Sequence, residues 1–227
     1  YRFVKAGYNV PKPFLKLKNG QLVIDKIIKN SPQSSKTLFV INNYLSENEH
    51  FISWKKTLNF DYEIINIGNK TDGQATSLYL ATKYIDNESK IYVSPCDTVV
   101  ADDQINKLFD LDVDYCILTT KPNTFHLNNY SHFGWLQTDE QKKEVFCKKK
   151  PSVIEKSNVV LGFFYFKNKS TFNNAYKKVV DDELYVNNEY YIDTVVGSLV
   201  NQNLKYKEII VENYKSYGTP EEYEQNK

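Results

Sequence analysis

The sequence predicts an α/β fold: a mostly parallel sheet flanked by helices, with an antiparallel portion added later in the chain. Three observations predict it. Up to about residue 120, short apolar runs alternate with helix-length segments, which is the pattern of βαβ units. Beyond that point, strand-like segments follow one another with little helix between them. The 227 residues show no internal repeat or low-complexity linker, so we expect a single domain.

In the first part of the chain, each element is predicted from its hydrophobic pattern. The apolar run at 38–41 suits a strand buried on both faces. Ser46, with Glu49 three residues later, predicts a capping box for a helix that ends near Leu58. Further strands are predicted at 62–67, 91–93 and 115–119, and helices at 73–85 and 103–109.

The later part of the chain has a different rhythm. Strand patterns at 132–136, 144–147 and 159–166 follow closely and predict the antiparallel portion. The remaining predictions are helices at 171–180 and 189–201, a strand at 206–211, and a last helix after a turn at 217–220.

Charge and composition disfavour several classes of function. The formal net charge of +1 gives no reason to expect nucleic acid or an acidic membrane surface as a partner. No apolar run approaches the roughly 18 residues of a membrane span. Cys96, Cys116 and Cys147 are widely separated, as expected of reduced thiols in a cytoplasmic protein. We therefore expect small-molecule partners, and a homo-oligomer stays open.

Two basic residues near the beginning suit a polyphosphate ligand. Arg2 is the only arginine in the chain, and its planar fork binds phosphate oxygens bidentately, which lysine cannot do. Lys12 stands between Pro11 and Pro13, which hold the backbone extended. Together they predict a phosphate clamp. The alternative is an ordinary surface arginine and a loop bent by prolines.

Two later segments come at positions where an α/β sheet binds ligands. Asp97 follows the predicted strand at 91–93, and ligands lie at the carboxyl ends of such strands. Magnesium is held by one or two carboxylates plus phosphate oxygens, although Asp is also common as a turn cap. Gly73 opens the predicted helix at 73–85 and allows close approach of a ligand to the backbone. An ordinary helix N-terminus is the alternative there.

The chain begins with Arg-Phe-x-x-Ala-Gly-Tyr-x-x-Pro-Lys-Pro-Phe-Leu at 2–15 and ends with Gly-Thr-Pro-Glu-Glu-Tyr at 218–223. Both motifs, in this order, resemble the NTP:sugar-1-phosphate nucleotidyltransferases, or sugar-nucleotide pyrophosphorylases, and most closely those encoded with bacterial capsule genes. The resemblance implies their Rossmann-like nucleotide-diphospho-sugar transferase fold. In that family a strand and a glycine-rich loop precede the arginine, so the resemblance implies that this segment is missing before Tyr1.

The resemblance also implies roles for residues on the nucleotide side. Arg2 would bind the triphosphate and Lys12 would stabilise charge at the α-phosphate, while Asp97 would bind Mg²⁺. The stretch Gly73-Gln74-Ala75-Thr76 is similar to the segment with which the family reads the base. Its members Gly73, Gln74 and Thr76 would then contact the nucleotide.

On the acceptor side the resemblance is less complete. Lys150 takes the place of the family's phosphate-binding lysine, and Gly162 lies in a strand that would face the sugar. Lys149 stands where the family usually has a glutamate that contacts sugar hydroxyls. Ser216 stands where many members have a second metal-binding aspartate. The site would then use one carboxylate or take help from a residue such as Asp193, and the sequence leaves both open.

These residues lead to a functional hypothesis with two alternatives. Residues 1–120 would form a nucleotide-binding half and 121–227 a sugar-phosphate-binding half of an enzyme that makes a sugar nucleotide and pyrophosphate for surface polysaccharide synthesis. A GT-A-type glycosyltransferase could use a similar sheet with a metal-binding aspartate, but it would form no pyrophosphate. A non-catalytic nucleotide-binding module would bind NTP without turnover.

Overall fold

A computed structural model of the chain describes residues 2–101, 103, 105–139, 142–200 and 202–227. The strands within those ranges are β1 (Thr37–Ile41), β2 (Tyr62–Asn66), β3 (Ile91–Val93), β4 (Thr98–Val100), β5 (Tyr115–Thr120), β6 (Gly134–Thr138), β7 (Lys143–Cys147), β8 (Ser157–Phe166), β9 (Tyr206–Ile210) and β10 (Tyr214–Ser216). The α-helices are α1 (Arg2–Lys5), α2 (Val23–Lys29), α3 (Asn43–Ser46), α4 (Glu49–Lys55), α5 (Gln74–Ala81), α6 (Thr124–Asn128), α7 (Lys169–Asp181), α8 (Ile192–Leu199) and α9 (Pro220–Asn226).

The chain forms two compact units, each assembled from separate stretches of sequence. The first unit comprises Tyr1–Gly68, Ser94–Phe109 and Asn213–Lys227, and the second comprises Asn69–Val93 and Asp110–Glu212. In the described part of the chain, no helix combines the length and apolar character that crossing a bilayer requires. The functional division at residue 120 stays a prediction.

The second unit is built on a mixed sheet in the order β7-β6-β8-β5-β9, with β3 also paired to β8. Strands β5 and β9 are parallel, whereas β3, β5 and β6 all run antiparallel to β8. Helices α7 and α8 contribute apolar residues to the core on one side of this sheet, among them Phe172 and Val195, which are completely buried. Burial of a phenylalanine side chain of this kind stabilises the fold by roughly 1.5–3 kcal/mol.

The first unit contains two separate strand pairs. Strands β1 and β2 are parallel, and β4 and β10 are antiparallel. Trp54 on α4 is buried beside Phe14 and Phe39, and its indole Nε1 donates a hydrogen bond to Asp25 Oδ1 at 2.8 Å. A second cluster packs Phe3 with Val99 and other apolar residues. The beginning and end of the chain therefore share one core with β4.

The predicted α/β class with an antiparallel portion is confirmed. Antiparallel pairing begins earlier than expected, since β3 and β5 already run antiparallel to β8. A buried apolar run looks the same in either direction, so the hydrophobic pattern carried no information on this point. The elements that sequence analysis did not assign are α1, α2, α3, α6, β4 and β10.

The predicted helix from Ser46 to Leu58 is wrong in its beginning and its end. Ser46 closes α3, and α4 runs from Glu49 to Lys55. The N-cap is Asn48, whose side chain accepts a hydrogen bond from the His50 N–H. Asparagine and serine are about equally good N-caps, so residue type alone did not identify which of them begins the helix. The helix predicted at 103–109 is a 3₁₀ turn at Ile105–Asp110, and its Gln104, like Asn201 at the end of the helix predicted at 189–201, lies outside the described residues.

The N-cap of α7 offers a test of local stability. Asn168 Oδ1 accepts hydrogen bonds from the Thr171 N–H at 2.9 Å and from the hydroxyls of Thr171 and Ser170. We expect Asn168→Ala to lower the free energy of unfolding by about 1 kcal/mol, measured by urea denaturation. The control is Asn174→Ala, an exposed position inside the same helix, which should be neutral or slightly stabilising. Equal effects of the two variants would contradict the cap.

Candidate active site

The structure brings Lys12 and Asp97 together in the first unit. Pro11 and Pro13 flank Lys12, which begins a 3₁₀ turn. Its Nζ lies 3.2 Å from Asp97 Oδ2 and 5.4 Å from the centre of the Phe3 ring. The two charged side chains are 35% and 25% exposed, so both remain accessible to a ligand. The pair places a cation and a carboxylate, 85 residues apart in sequence, at one accessible point.

The residues directly before the motif at 218–223 fix the backbone of Asp97. The Tyr217 N–H donates a hydrogen bond to the Asp97 carbonyl oxygen at 2.7 Å, next to the pairing of Ser216 with Thr98. Thr219 then caps α9 through a capping box with Glu222. Ser216 and Tyr217 therefore hold the backbone of Asp97 in place, and the motif at 218–223 that follows them starts a helix.

Gly218 lies where three oxygen atoms converge. A Cβ at this position would stand 3.3 Å from Glu222 Oε2, 3.4 Å from Ser216 Oγ and 3.6 Å from Asp97 Oδ2. A larger side chain would therefore crowd these groups. The glycine leaves polar space beside the Asp97 carboxylate.

The oxygen donors around Asp97 suit a cation that takes most of its ligands from phosphate groups and water. No group of three or more His, Cys, Asp or Glu side chains with metal-binding spacing occurs among the residues that the structure describes. Asp97 and the Ser216 hydroxyl are hard oxygen donors, and Ser216 adds no charge. The Glu222 carboxylate beside them accepts the Thr219 N–H in the capping box of α9. Such a set fits Mg²⁺ bound through one carboxylate together with phosphate and water oxygens. It does not form an all-protein cage.

Arg2 is exposed on α1, and Phe3 next to it is buried with its ring under the Lys12 ammonium. The first helix thus anchors itself through Phe3 and leaves the guanidinium of Arg2 at the surface. The predicted role of Arg2 in binding phosphate stays a prediction.

The predicted base-binding loop belongs to the second unit and is bonded to a distant segment. Gly73 has φ +132°. The Ala75 N–H donates to the Tyr190 carbonyl at 3.0 Å, and the Tyr190 N–H donates to the Asp72 carbonyl at 2.6 Å. Any Cβ at Gly73 would lie 2.6 Å from the Tyr190 nitrogen. This glycine is therefore required by close packing of two backbones.

The other two residues predicted to contact the base differ in their surroundings. Gln74 is exposed at the first position of α5, where its amide is accessible. The Thr76 hydroxyl is 2.9 Å from the hydroxyl of Tyr176, which is almost fully buried. Thr76 therefore already has a hydrogen-bond partner within the protein, whereas Gln74 is the accessible member of the predicted set.

On the acceptor side, Lys150 is exposed just after β7, as is Lys149. Gly162 lies in the middle of β8 with φ +81°. The pairing of β8 with β5 shifts between Phe164 and Val160, so Gly162 lies at a β-bulge, where a positive φ favours glycine. The bulge accounts for this glycine without a ligand, and contact with a sugar stays a prediction.

Sequence analysis left the role of Asp193 undecided. The residue is only 9% exposed, and a Cβ at Gly134 would collide with its carboxylate. Burial raises the pKa of Asp193 to about 6, although Lys148 nearby acts in the opposite direction. The signal in the sequence was a carboxylate within the otherwise uncharged helix α8.

A polar cleft of about 460 Å³ opens elsewhere in the second unit. Asn158 and Glu208 line it together with Lys121 and Lys156. The Asn158 Nδ2 donates to Glu208 Oε1 at 2.6 Å. None of the predicted site residues lines this cleft, so it has no part in the chemistry considered below.

Gly73 should tolerate no side chain. We expect Gly73→Ala to lower the free energy of unfolding by clearly more than the roughly 1–3 kcal/mol that a backbone region restricted almost entirely to glycine costs an L-residue, because the methyl group also meets the Tyr190 backbone. The matched control is Gly20→Ala, since Gly20 has φ +82° and open space around it. Chemical denaturation of both variants would measure the difference. Similar losses would show that the close packing at Gly73 is unimportant.

The buried carboxylate of Asp193 should affect the pH dependence of stability. Its pKa rises from 3.8 to about 6 on folding, so the folded protein binds this proton more tightly than the unfolded chain does. Stability from this group is therefore present below pH 3.8 and is lost as pH rises to about 6, by up to about 3 kcal/mol.

The measurement is the free energy of unfolding across this range for the wild type and for Asp193→Asn. We expect the variant to lack the loss, while Asp181→Asn, at an exposed position, should follow the wild type. The other titratable groups near Asp193 are Cys147, Lys148 and Tyr191. Parallel curves for the wild type and Asp193→Asn would contradict the assignment.

A nucleoside-diphosphate-sugar pyrophosphorylase from Vibrio cholerae has a similar fold, with a TM-score of 0.76 at 22% identity over 99% of this chain and 94% of that chain. A UDP-glucose pyrophosphorylase complexed with UDP-glucose gives 0.69 at 12% identity over 99% and 92%. The inositol-1-phosphate CTP transferase from T. maritima gives 0.67 at 14% identity over 97% and 86%.

These structures confirm the predicted nucleotide-diphospho-sugar transferase fold. No curated protein sequence matches the chain. The model of the nucleotidyl transferase family, by contrast, matches residues 2–224, from Arg2 to within the last helix. With nearly its whole length matched, this chain belongs to the nucleotidyl transferase family.

Proposed function

We propose that the protein condenses an NTP with a sugar 1-phosphate to give an NDP-sugar and pyrophosphate. The observation that carries the proposal is the contact between Lys12 and Asp97, which segments from opposite ends of the sequence hold in place. Membership of the nucleotidyl transferase family supports transfer of a nucleotidyl group. A fold shared with a nucleoside-diphosphate-sugar pyrophosphorylase favours a phosphorylated sugar as the acceptor.

The reaction needs positioning and charge neutralisation more than covalent chemistry. An oxygen of the sugar phosphate attacks the α-phosphorus of the NTP, and the bond from that phosphorus to the pyrophosphate oxygen breaks. Arg2 binds the triphosphate and the leaving pyrophosphate through its fork. Lys12 stabilises the charge that grows on the α-phosphate. Lys150 orients the phosphate of the acceptor.

Asp97 is the residue that would hold Mg²⁺, which when bound supplies positive charge to the phosphates. Without a nucleotide, Lys12 and Asp97 balance each other's charge at 3.2 Å. Because both side chains are accessible, an ion pair of this kind contributes only about 0–1 kcal/mol. A polyphosphate can therefore draw Lys12 away at little cost and free the carboxylate for a cation.

The remaining assignments belong to the same proposal. Gly73, Gln74 and Thr76 form the nucleotide-binding loop, with Gln74 as its accessible side chain. Gly162 lies on the strand that faces the sugar. We place the enzyme in the cytoplasm, supplying surface polysaccharide synthesis.

A second candidate is a nucleotide-binding module without turnover. Ser216 favours it, because a hydroxyl beside Asp97 adds no charge to help bind a cation. Such a module would bind NTP and release no pyrophosphate with any acceptor.

The deciding measurement is pyrophosphate release by the full-length protein with Mg²⁺, with four NTPs crossed against a panel of sugar 1-phosphates and other phosphomonoesters. We expect release that requires one NTP, one acceptor and an intact Asp97. NTP binding without release across the panel would favour the binding module. Release of pyrophosphate without any acceptor would contradict the transferase.

Removal of Lys12 tests its catalytic role. We expect Lys12→Ala to fold normally, because the residue is accessible and its ion pair is weak, and to lower kcat by about 10²-fold or more, as for loss of one preorganised donor. Steady-state kinetics would measure this, with circular dichroism as the check on folding. The matched control is Lys29→Ala, an exposed position on α2, which should keep full activity. Unchanged turnover in Lys12→Ala would exclude Lys12 from the mechanism.

A further inference from the structure

Residues 189–191 of the second unit, here called the connecting segment, are bonded to both ends of the nucleotide-binding loop. Beyond the two backbone hydrogen bonds at Tyr190, Lys70 Nζ lies 3.0 Å from Glu189 Oε1. The Tyr191 hydroxyl donates to Glu189 Oε2 at 2.8 Å. Hydrogen bonds from Lys70 and Tyr191 lower the pKa of Glu189 below its ordinary value. Glu189 thus binds a residue before the loop and a residue of its own segment at the same time.

The same segment contacts the run of three lysines, 148–150, whose last member Lys150 the proposed function assigns to the acceptor. The ammonium of Lys148 lies 5.5 Å from the centre of the Tyr191 ring, within the range of a cation–π interaction. Lys148 has φ +60°, a left-handed backbone that non-glycine residues seldom adopt. Such a backbone costs free energy that its surroundings must offset, and the contact with Tyr191 is made directly before Lys149 and Lys150.

A tight turn supports the connecting segment from behind. Asn187 and Asn188 have φ +53° and +60°, and Val186 and Glu189 pair across them. Positive φ at two successive residues is the signature of a type I′ hairpin turn, for which asparagine is well suited. The turn therefore fixes the backbone conformation directly before Glu189.

We propose that the connecting segment couples acceptor binding at Lys148–Lys150 to nucleotide binding at residues 71–76, with Tyr191 as the positioning residue. The inference rests on the proposed function. A phosphorylated acceptor that orders the lysine run also orders Tyr191, and through Glu189 and Tyr190 it orders the loop. A nucleotide that arrives second then loses less conformational entropy and binds more tightly. The effect is reciprocal, because the coupling free energy between two binding sites is the same whichever ligand binds first.

The test measures the dissociation constant of an α,β-methylene NTP analogue by calorimetry, with and without the sugar 1-phosphate that best supports pyrophosphate release. For the wild type we expect the sugar phosphate to tighten binding about five- to tenfold, at the lower end of the usual range of coupling between sites. In Tyr191→Leu this ratio should fall to about one. A merely structural loss would weaken both constants equally and leave the ratio unchanged.

Lys148→Met tests the other side of the contact and should also abolish the ratio. Lys148→Arg should restore it, because arginine also stacks on aromatic rings. The matched control is Tyr84→Leu, an exposed tyrosine that follows α5, which should keep the wild-type ratio. Thermal melting would confirm that each variant is folded.

The outcomes separate this inference from the function on which it depends. No pyrophosphate release by the wild type would overturn the proposed function and the coupling with it. Release together with a wild-type ratio of one, or with an unchanged ratio in both Tyr191→Leu and Lys148→Met, would overturn the coupling alone.

Discussion

The fold of the second unit depends on strand β8, whose backbone N–H and C=O groups require hydrogen-bond partners on both sides. Eight of its ten residues are buried, and a buried N–H or C=O without a partner costs about as much as a lost hydrogen bond. Strand β6 satisfies one part of β8, and β5 and β3 satisfy others. The three antiparallel neighbours, the bulge at Gly162 and the cover of α7 and α8 all follow from this one strand. Gly162, which is predicted to contact the sugar acceptor, is thus required first of all for strand β8 to form its bulge.

In the first unit, apolar residues from near the two ends of the chain pack into one cluster. Phe3 near the beginning and Tyr217 near the end are buried in one cluster with Val99, which lies two residues after Asp97. The apolar contacts that stabilise this cluster also position the functional groups, because Lys12 lies over Phe3 and the Tyr217 N–H binds the Asp97 carbonyl. The same apolar contacts therefore stabilise the cluster and position the charged groups. A substitution that disrupts the cluster would also disturb the ion pair of Lys12 and Asp97.

The sequence predicted those features that depend on local patterns. Strands β1, β5 and β8 were found because each contains an apolar run of sufficient length, and α7 because its apolar residues recur with helical spacing. Strand β10, which is Tyr-Lys-Ser, was missed because it contains no apolar run, and the short strand β4 was missed because its partner is this distant strand. The Lys12–Asp97 contact joined two residues that had been singled out separately. The contacts of Glu189, Tyr191 and Lys148 had no local signal, because each depends on packing between distant segments.

The few carboxylates at the candidate site have a physical consequence. Under the proposed function, Asp97 would be the main protein ligand of a cation, because the nearby Glu222 carboxylate is held in the capping box of α9. Since Lys12 balances the charge of Asp97, little would favour cation binding before the nucleotide. The phosphates of the substrate would then supply most of the cation's ligands and would attract Lys12 away from Asp97. A serine at position 216, where the resemblance implies an aspartate in many members, suits this proposal because the substrate itself would supply the missing negative charge.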